Sequence, residues 1–303
     1  MQLRLILCLW LLLGWSPVVL AQEVPAPSNA TPSADRVRKA VPKEACFPLE
    51  ELPAELRTGA EKMLLELLDS EALFTIIGGL KPMSSGFAQF RISVRNPEVG
   101  PLAEARQILA TFRCGDVFHA ELLPFHTVDK GTRYLEAVVF HRPALRDAIT
   151  RHRGFFAPFG ITPTTDPLSV AVTIENDPTT ARNRGLGYLY GYPPEAVDFF
   201  VTAAEEQKRT GKFVERDFVQ IPVFKAPTGH FVYAVPKGFR TGETDRILKA
   251  KAERILAAYR ERRARFIGEG KPGVVALLRD WFDIGNGLCS PDVLPETFSE
   301  RRE

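Results

Sequence analysis

Four groups of residues have the types and spacing to do chemistry. The first is Gly78-Gly79-Leu80-Lys81-Pro82-Met83-Ser84-Ser85-Gly86, lying between two expected strands. Glycines beside a lysine and paired serines can form a loop of backbone amides around an anion, with Lys81 and Ser84 as side-chain partners. The P-loop and Rossmann spacings are absent, and no helix is expected to start at Ser85, so no cofactor is indicated. A glycine-rich turn is the plain alternative. The second group is Cys114, Asp116, His119, Glu121 and His126, all proton carriers or metal ligands by type. On a strand, His119 and Glu121 share a face, while His126 falls on the other unless Pro124 breaks the alternation. Neither a His-Glu-x-x-His nor a Cys-x-x-Cys motif is present, so no metal is assigned. With His230, the residues His119, Glu121 and His126 form the set available for hydrolytic or metal-dependent chemistry. Their alternative is a structural or surface role, and no Gly-x-Ser-x-Gly elbow supplies a nucleophile.

The third group runs from Gly185 to Phe200 and is the most distinctive. Three glycines permit close backbone approach, and Tyr188, Tyr190 and Tyr192 offer flat faces with polar tips, with Arg184 just before them. Such a segment suits a pocket for an aromatic or sugar-like ligand; a helix–loop–helix junction packed on the core is the competing reading. The expected ligand-binding set is therefore Lys81, Ser84, Arg184, Tyr188, Tyr190 and Tyr192. The fourth group is basic: seven Lys or Arg against two Glu between Lys249 and Arg265. That face suits an anionic partner, or is simply the solvated side of a helix whose apolar stripe is Leu248, Ala252, Ile255, Tyr259 and Phe266.

Gly187 to Phe200 resembles the glycine-tyrosine-proline segment of a family of small uncharacterised bacterial proteins. In that family an acidic residue and a valine follow the Gly-Tyr-Pro, as Glu195 and Val197 do here, and a Lys-Pro stands near the start, as Lys81-Pro82 does. The chain departs from it at the His-Glu-Ile-Gly lead-in, where it has Asn183-Arg184-Gly185-Leu186. The family has no known function, so the resemblance implies a fold relation and no mechanism.

These groups must be positioned by elements that the periodicity outlines. Helices are expected at residues 53–69, 101–112, 143–152, 181–189, 193–204, 242–267 and 272–283, the long amphipathic one near the C-terminus being the clearest. Strands are expected at 74–77, 87–94, 117–125, 134–140, 168–174, 219–224 and 230–235. Interspersed strands and helices without a repeat mean an α/β or α+β fold, a mixed sheet with flanking helices.

The first 21 residues carry Arg4, the apolar run Leu5 to Leu13 and a Val19-Leu20-Ala21 cleavage pattern, so residues 1–21 are expected to be a signal peptide and the protein periplasmic or secreted. Residues 22–45, rich in Pro, Ala and Ser, read as a flexible linker, and 46–295 as a single globular domain. Removing the leader takes one cation from a formal charge of +2, leaving +1. That balance excludes bulk nucleic-acid binding, and no later segment is apolar enough to span a membrane. Of the remaining cysteines Cys46, Cys114 and Cys289, the terminal pair Cys46–Cys289 is expected to be the disulfide, because the ends of a domain tend to meet. Two functional classes stay open: an exported protein binding a small molecule or an envelope partner around Tyr188 to Tyr192, and a hydrolase or metal-dependent enzyme.

Overall fold

The computed structural model describes residues 40–291. The expected leader, residues 22–39 of the expected linker and residues 292–295 lie outside the described residues. The order of elements is β1 (Val41–Pro42), α1 (Ala54–Asp69), α2 (Leu73–Ile76), β2 (Met83–Ser84), β3 (Gln89–Ser93), α3 (Gly100–Ala110), β4 (Phe118–Asp129) and β5 (Thr132–His141). Helices α4 (Arg142–Arg151), α5 (Arg153–Phe156), α6 (Pro167–Glu175), α7 (Ala181–Leu189) and α8 (Pro194–Thr210) follow. Then come the hairpin β6 (Arg216–Ile221) and β7 (Phe231–Pro236), helices α9 (Glu243–Phe266) and α10 (Val274–Trp281), and strands β8 (Asp283–Gly285) and β9 (Leu288–Cys289).

Strand β5 organises the molecule. β4 pairs along one edge of it, while β3 and β2 share the other, all antiparallel. Alternate residues of β5 enter two different cores, because successive side chains of a strand point to opposite faces. Leu135, Ala137 and Val139 join Phe118, Ala120 and Leu122 in a core completed by α1, α3, α9 and α10. Val138 and Phe140 join Leu123 in a second core built from Leu145, Ile149, Phe156, Val170, Ile174 and Leu189. The sheet is thus covered by helices on both faces. With every pairing among the described strands antiparallel, the architecture is α+β.

Two expected strands are helices. Residues 168–174 form α6 despite Val170, Val172 and Ile174, because Asp166 accepts a hydrogen bond from the Ser169 amide at 2.9 Å and Pro167 occupies the first turn. An Asp-Pro cap of this kind starts a helix, and burial on the second core outweighs the weak β preference of the branched residues. Leu73 to Ile76 are all buried in the turn of α2; a run this short, apolar but for Thr75, carries no period to separate strand from helix. The expected linker also ends earlier than residue 45. Val41 pairs with Cys289, the Lys43 amide donates to the Gly287 carbonyl at 2.9 Å, and Lys43 pairs with Asp283 at 2.9 Å.

The disulfide differs from expectation: it joins Cys46 to Cys114, with Cys289 a buried free thiol. The two ends of the described chain do meet, since β1 pairs with β9. Cys46, however, lies beyond β1 on a stretch bridged antiparallel to Cys114, with the Phe47 amide bonded to the Arg113 carbonyl at 2.7 Å. The Cys289 thiol turns instead to the Arg279 carbonyl, 3.6 Å away. Mapping of peptides without reduction should find Cys46 linked to Cys114, and Cys289 should alkylate only on unfolding. A closed loop of sequence separation 68 corresponds to about 4 kcal/mol of chain-entropy stabilisation, so the Cys46→Ala/Cys114→Ala variant should unfold at markedly lower denaturant. Recovery of a peptide linked through Cys289 would contradict the assignment.

Candidate functional site

The glycine loop and the glycine–tyrosine segment, far apart in sequence, meet at Lys81. Its side chain is fully buried. The ammonium donates to Glu71 Oε2 at 2.6 Å and lies over three rings, 4.3 Å from the centroid of Phe231, 5.3 Å from Tyr190 and 5.6 Å from Tyr192. Glu71 comes from the turn between α1 and α2, the tyrosines from the end of α7, and Phe231 from the start of β7. Loss of hydration pushes the Lys81 pKa below the ordinary lysine value, opposed by the Glu71 carboxylate.

Small residues let these segments approach. Gly191 has φ +71°, and a Cβ there would stand 2.8 Å from the Leu80 carbonyl oxygen. Gly185 and Gly187 sit in α7 where a Cβ would meet Ile174 of α6 and Val197 of α8 at 2.6 and 2.7 Å. Around the box, Thr75 and Ser84 hydroxyls bond at 2.8 Å with both residues buried, and Ser85 bonds the Tyr190 hydroxyl at 3.0 Å. Lys81 and Ser84 are therefore sealed and internally engaged. Glu71 and Thr75 meet their polar groups in place of water.

Tyr190 and Tyr192 also line an open groove of about 330 Å³. Leu186 and Gly187 of α7, Val197 and Phe200 of α8, Phe218 of β6 and Val232 of β7 complete its walls. Phe200 and Phe218 stand at 39% and 57% exposure, unusually open for such large rings. Asn183 lines the same groove, and among the described residues neither its carboxamide nor the Tyr192 hydroxyl makes a hydrogen bond. A mostly apolar cleft with a few free polar groups has the composition of a small-molecule site.

Arg184 and Tyr188 turn elsewhere. Arg184 pairs with Asp198 and donates to the Tyr188 hydroxyl at 3.2 Å, while the Tyr188 ring stacks on His152 at a centroid distance of 3.7 Å. In the second set, the Glu121 charge acts on the His119 imidazole. His119 stacks against Phe140, and burial pushes its pKa down. Glu121 pairs with Arg106, and His126 is exposed at the β4 bulge, its backbone amide bonded to Glu175. His230 precedes β7, on the other hairpin. Among the described residues no group of three or more His, Cys, Asp or Glu is placed to hold a metal ion. Part of the basic face of α9 is spent inside the fold: Arg263 forks onto Asp69 at 2.8 and 2.9 Å, and Arg262 lies over Trp281.

Glu71, Phe231 and Phe218 were not singled out from the sequence, and Phe200 only as the last residue of the Gly185–Phe200 segment. Glu71 sits in an ordinary helix terminus, and each phenylalanine reads as core. No family model, curated protein or solved structure matches the chain.

Removing Glu71 leaves an uncompensated ammonium among rings, so Glu71→Ala should cost about 3–5 kcal/mol in denaturant unfolding. Lys81→Met should cost less, because the Glu71 side chain retains 14% exposure and can rehydrate. The double variant Glu71→Leu/Lys81→Met should lie closer to the parent than Glu71→Ala alone; an Ala variant within about 1 kcal/mol of the parent would contradict the role assigned to the pair.

Burial raises the pKa of Tyr190, Tyr192, Tyr233 and Tyr259, the last two further raised by hydrogen bonds to Asp245 and Asp69. Above the ordinary phenol value near 10, the unfolded chain therefore holds fewer protons than the folded one. The stabilisation is whole below that pH and is lost as pH rises beyond it. Tyrosinate absorbance from these four should appear together with the loss of circular dichroism; ionisation well before unfolding would refute it.

Proposed function

We propose that this is an exported binding protein whose groove between α7, α8 and the β6–β7 hairpin receives the apolar part of a small ligand. The observation that carries the reading is the groove itself: aromatic and aliphatic walls, two exposed phenylalanines among them, and Asn183 and Tyr192 in the lining. Burying a ligand's apolar surface against such walls supplies affinity, and the polar groups orient it. The walls are held rigid by the Lys81 box behind Tyr190 and Tyr192, so little ordering cost falls on binding. A leader-like first segment and a Cys46–Cys114 disulfide both suit an oxidising compartment outside the cytoplasm. No helix among the described residues is long and apolar enough to cross a membrane. The hydrolase alternative has no assembled set of residues behind it among those described.

Titration with the neutral apolar fluorophore N-phenyl-1-naphthylamine tests the reading. One saturable site per chain is expected, weakened about tenfold by Phe218→Asp and by Phe200→Asp, each of which removes a ring's worth of apolar contact. Both rings are partly exposed, so neither substitution should lower the melting midpoint by more than a few degrees. Absence of saturable binding, or binding indifferent to both substitutions, would sink the proposal.

A further inference from the structure

Tyr192 also lines a second recess, of about 260 Å³, whose character is opposite to that of the groove. One wall is the glycine loop, through Gly79 and Leu80. The facing wall is the last turn of α4 and the residue after it, through Asp147, Arg151 and His152, with Tyr188 beside them. Among the described residues Arg151 has no carboxylate within 4.0 Å, Asp147 has no cationic partner, and the His152 ring makes no hydrogen bond. The Gly79 amide likewise donates to no acceptor among them. The recess thus brings together one cation, one anion, an imidazole and a backbone donor, all with unused hydrogen-bonding capacity.

The walls are fixed rather than loose. The Tyr188 hydroxyl accepts from Arg184, itself paired with Asp198, and the Tyr188 ring holds the His152 ring nearly parallel, with 7° between planes. Gly79 packs against His141, where an added Cβ would lie 2.8 Å from the imidazole. His141 in turn caps α4 by accepting the Ala144 amide at 3.1 Å. The loop and the helix that carry the two walls are therefore locked to each other through one side chain.

We propose that this recess is a second binding site, for a small zwitterion of the α-amino-acid type: its carboxylate meets Arg151 and the Gly79 amide, and its ammonium meets Asp147. The charges select the class. A simple anion would gain Arg151 but face Asp147, and a simple cation would gain Asp147 but face Arg151; only a molecule carrying both signs satisfies both. Burial first, and then Arg151, lower the His152 pKa, so its imidazole is neutral at pH 7 and adds a donor and an acceptor without altering the charge balance. The site is independent of the apolar groove, whose lining shares only Tyr192 with it.

Isothermal titration of the full chain with L-alanine, acetate and methylammonium decides the matter. L-Alanine should bind at least about fivefold more tightly than either single-charge probe, a factor set by one exposed charge pair. Arg151→Gln and Asp147→Asn should each weaken L-alanine about fivefold, while Asp147→Asn should strengthen acetate. Both residues are exposed, so the variants should melt with the parent, and binding of the apolar fluorophore in the groove should persist in both. L-Alanine binding no tighter than acetate, indifferent to both substitutions, or absent altogether would overturn the second site whatever the fluorophore does.

Discussion

A lysine ammonium cannot be taken out of water without a substitute for its hydration, and the region that carries both recesses is arranged around that requirement at Lys81. An unpaired buried charge costs several kcal/mol. Here one carboxylate and three ring faces replace the lost water, so that four places in the chain converge: the α1–α2 turn with Glu71, the end of α7 with Tyr190 and Tyr192, and β7 with Phe231 all meet the loop that carries Lys81. None of the four can move without exposing or stranding the charge. Two of the rings that shield Lys81, Tyr190 and Tyr192, also line the groove, so part of the cleft's wall is placed by the burial of a charge that does not line it.

The surrounding scaffold supports this with ordinary packing. β5 feeds alternate residues into two cores, which clamps the sheet between helices. Two further polar anchors tie helices together at a distance from the box. Asp69 at the end of α1 takes the Tyr259 hydroxyl and the Arg263 guanidinium from α9. Glu175, fully buried at the end of α6, takes both the Arg182 fork and the His126 amide across the β4 bulge. Asp69 and Glu175 are each met by more than one donor, as a charge taken out of water requires.

Much of this was legible in local pattern and little in long-range pairing. The long α9 announces itself through Ala252, Ile255 and Tyr259 at helical spacing, and the expected strands 117–125 and 134–140 fall within β4 and β5, which run on to a turn where Lys130 and Gly131 take positive φ. The Gly–Tyr segment stood out because its glycines have packing reasons: two admit neighbouring helices and the third admits a backbone. What local pattern does not encode is which distant residue closes a contact. Cys46 has two equally plausible partners by residue type, and the choice between them depends on which strand lies beside it. Glu71 becomes the counter-ion of Lys81 only because α2 folds as a turn of helix, and α2 was the very run whose uniform burial hid its period.

The Lys81–Glu71 pair also has to be explained against a simpler design. A leucine or methionine at position 81 would fill the same space, and substitutions of buried ion pairs by apolar residues are often neutral or stabilising. An apolar side chain, however, is satisfied by any close packing, and several rotations of the α7 terminus would bury it equally well. An ammonium is satisfied only when Glu71 and the ring faces converge on it together. The pair therefore couples the placement of Tyr190 and Tyr192 to that of Glu71. Since Tyr192 borders both recesses, a rotation of that ring would reshape both at once. The buried ammonium, 5.6 Å from the centroid of that ring and bonded to Glu71, ties the ring's place to that of the α1–α2 turn.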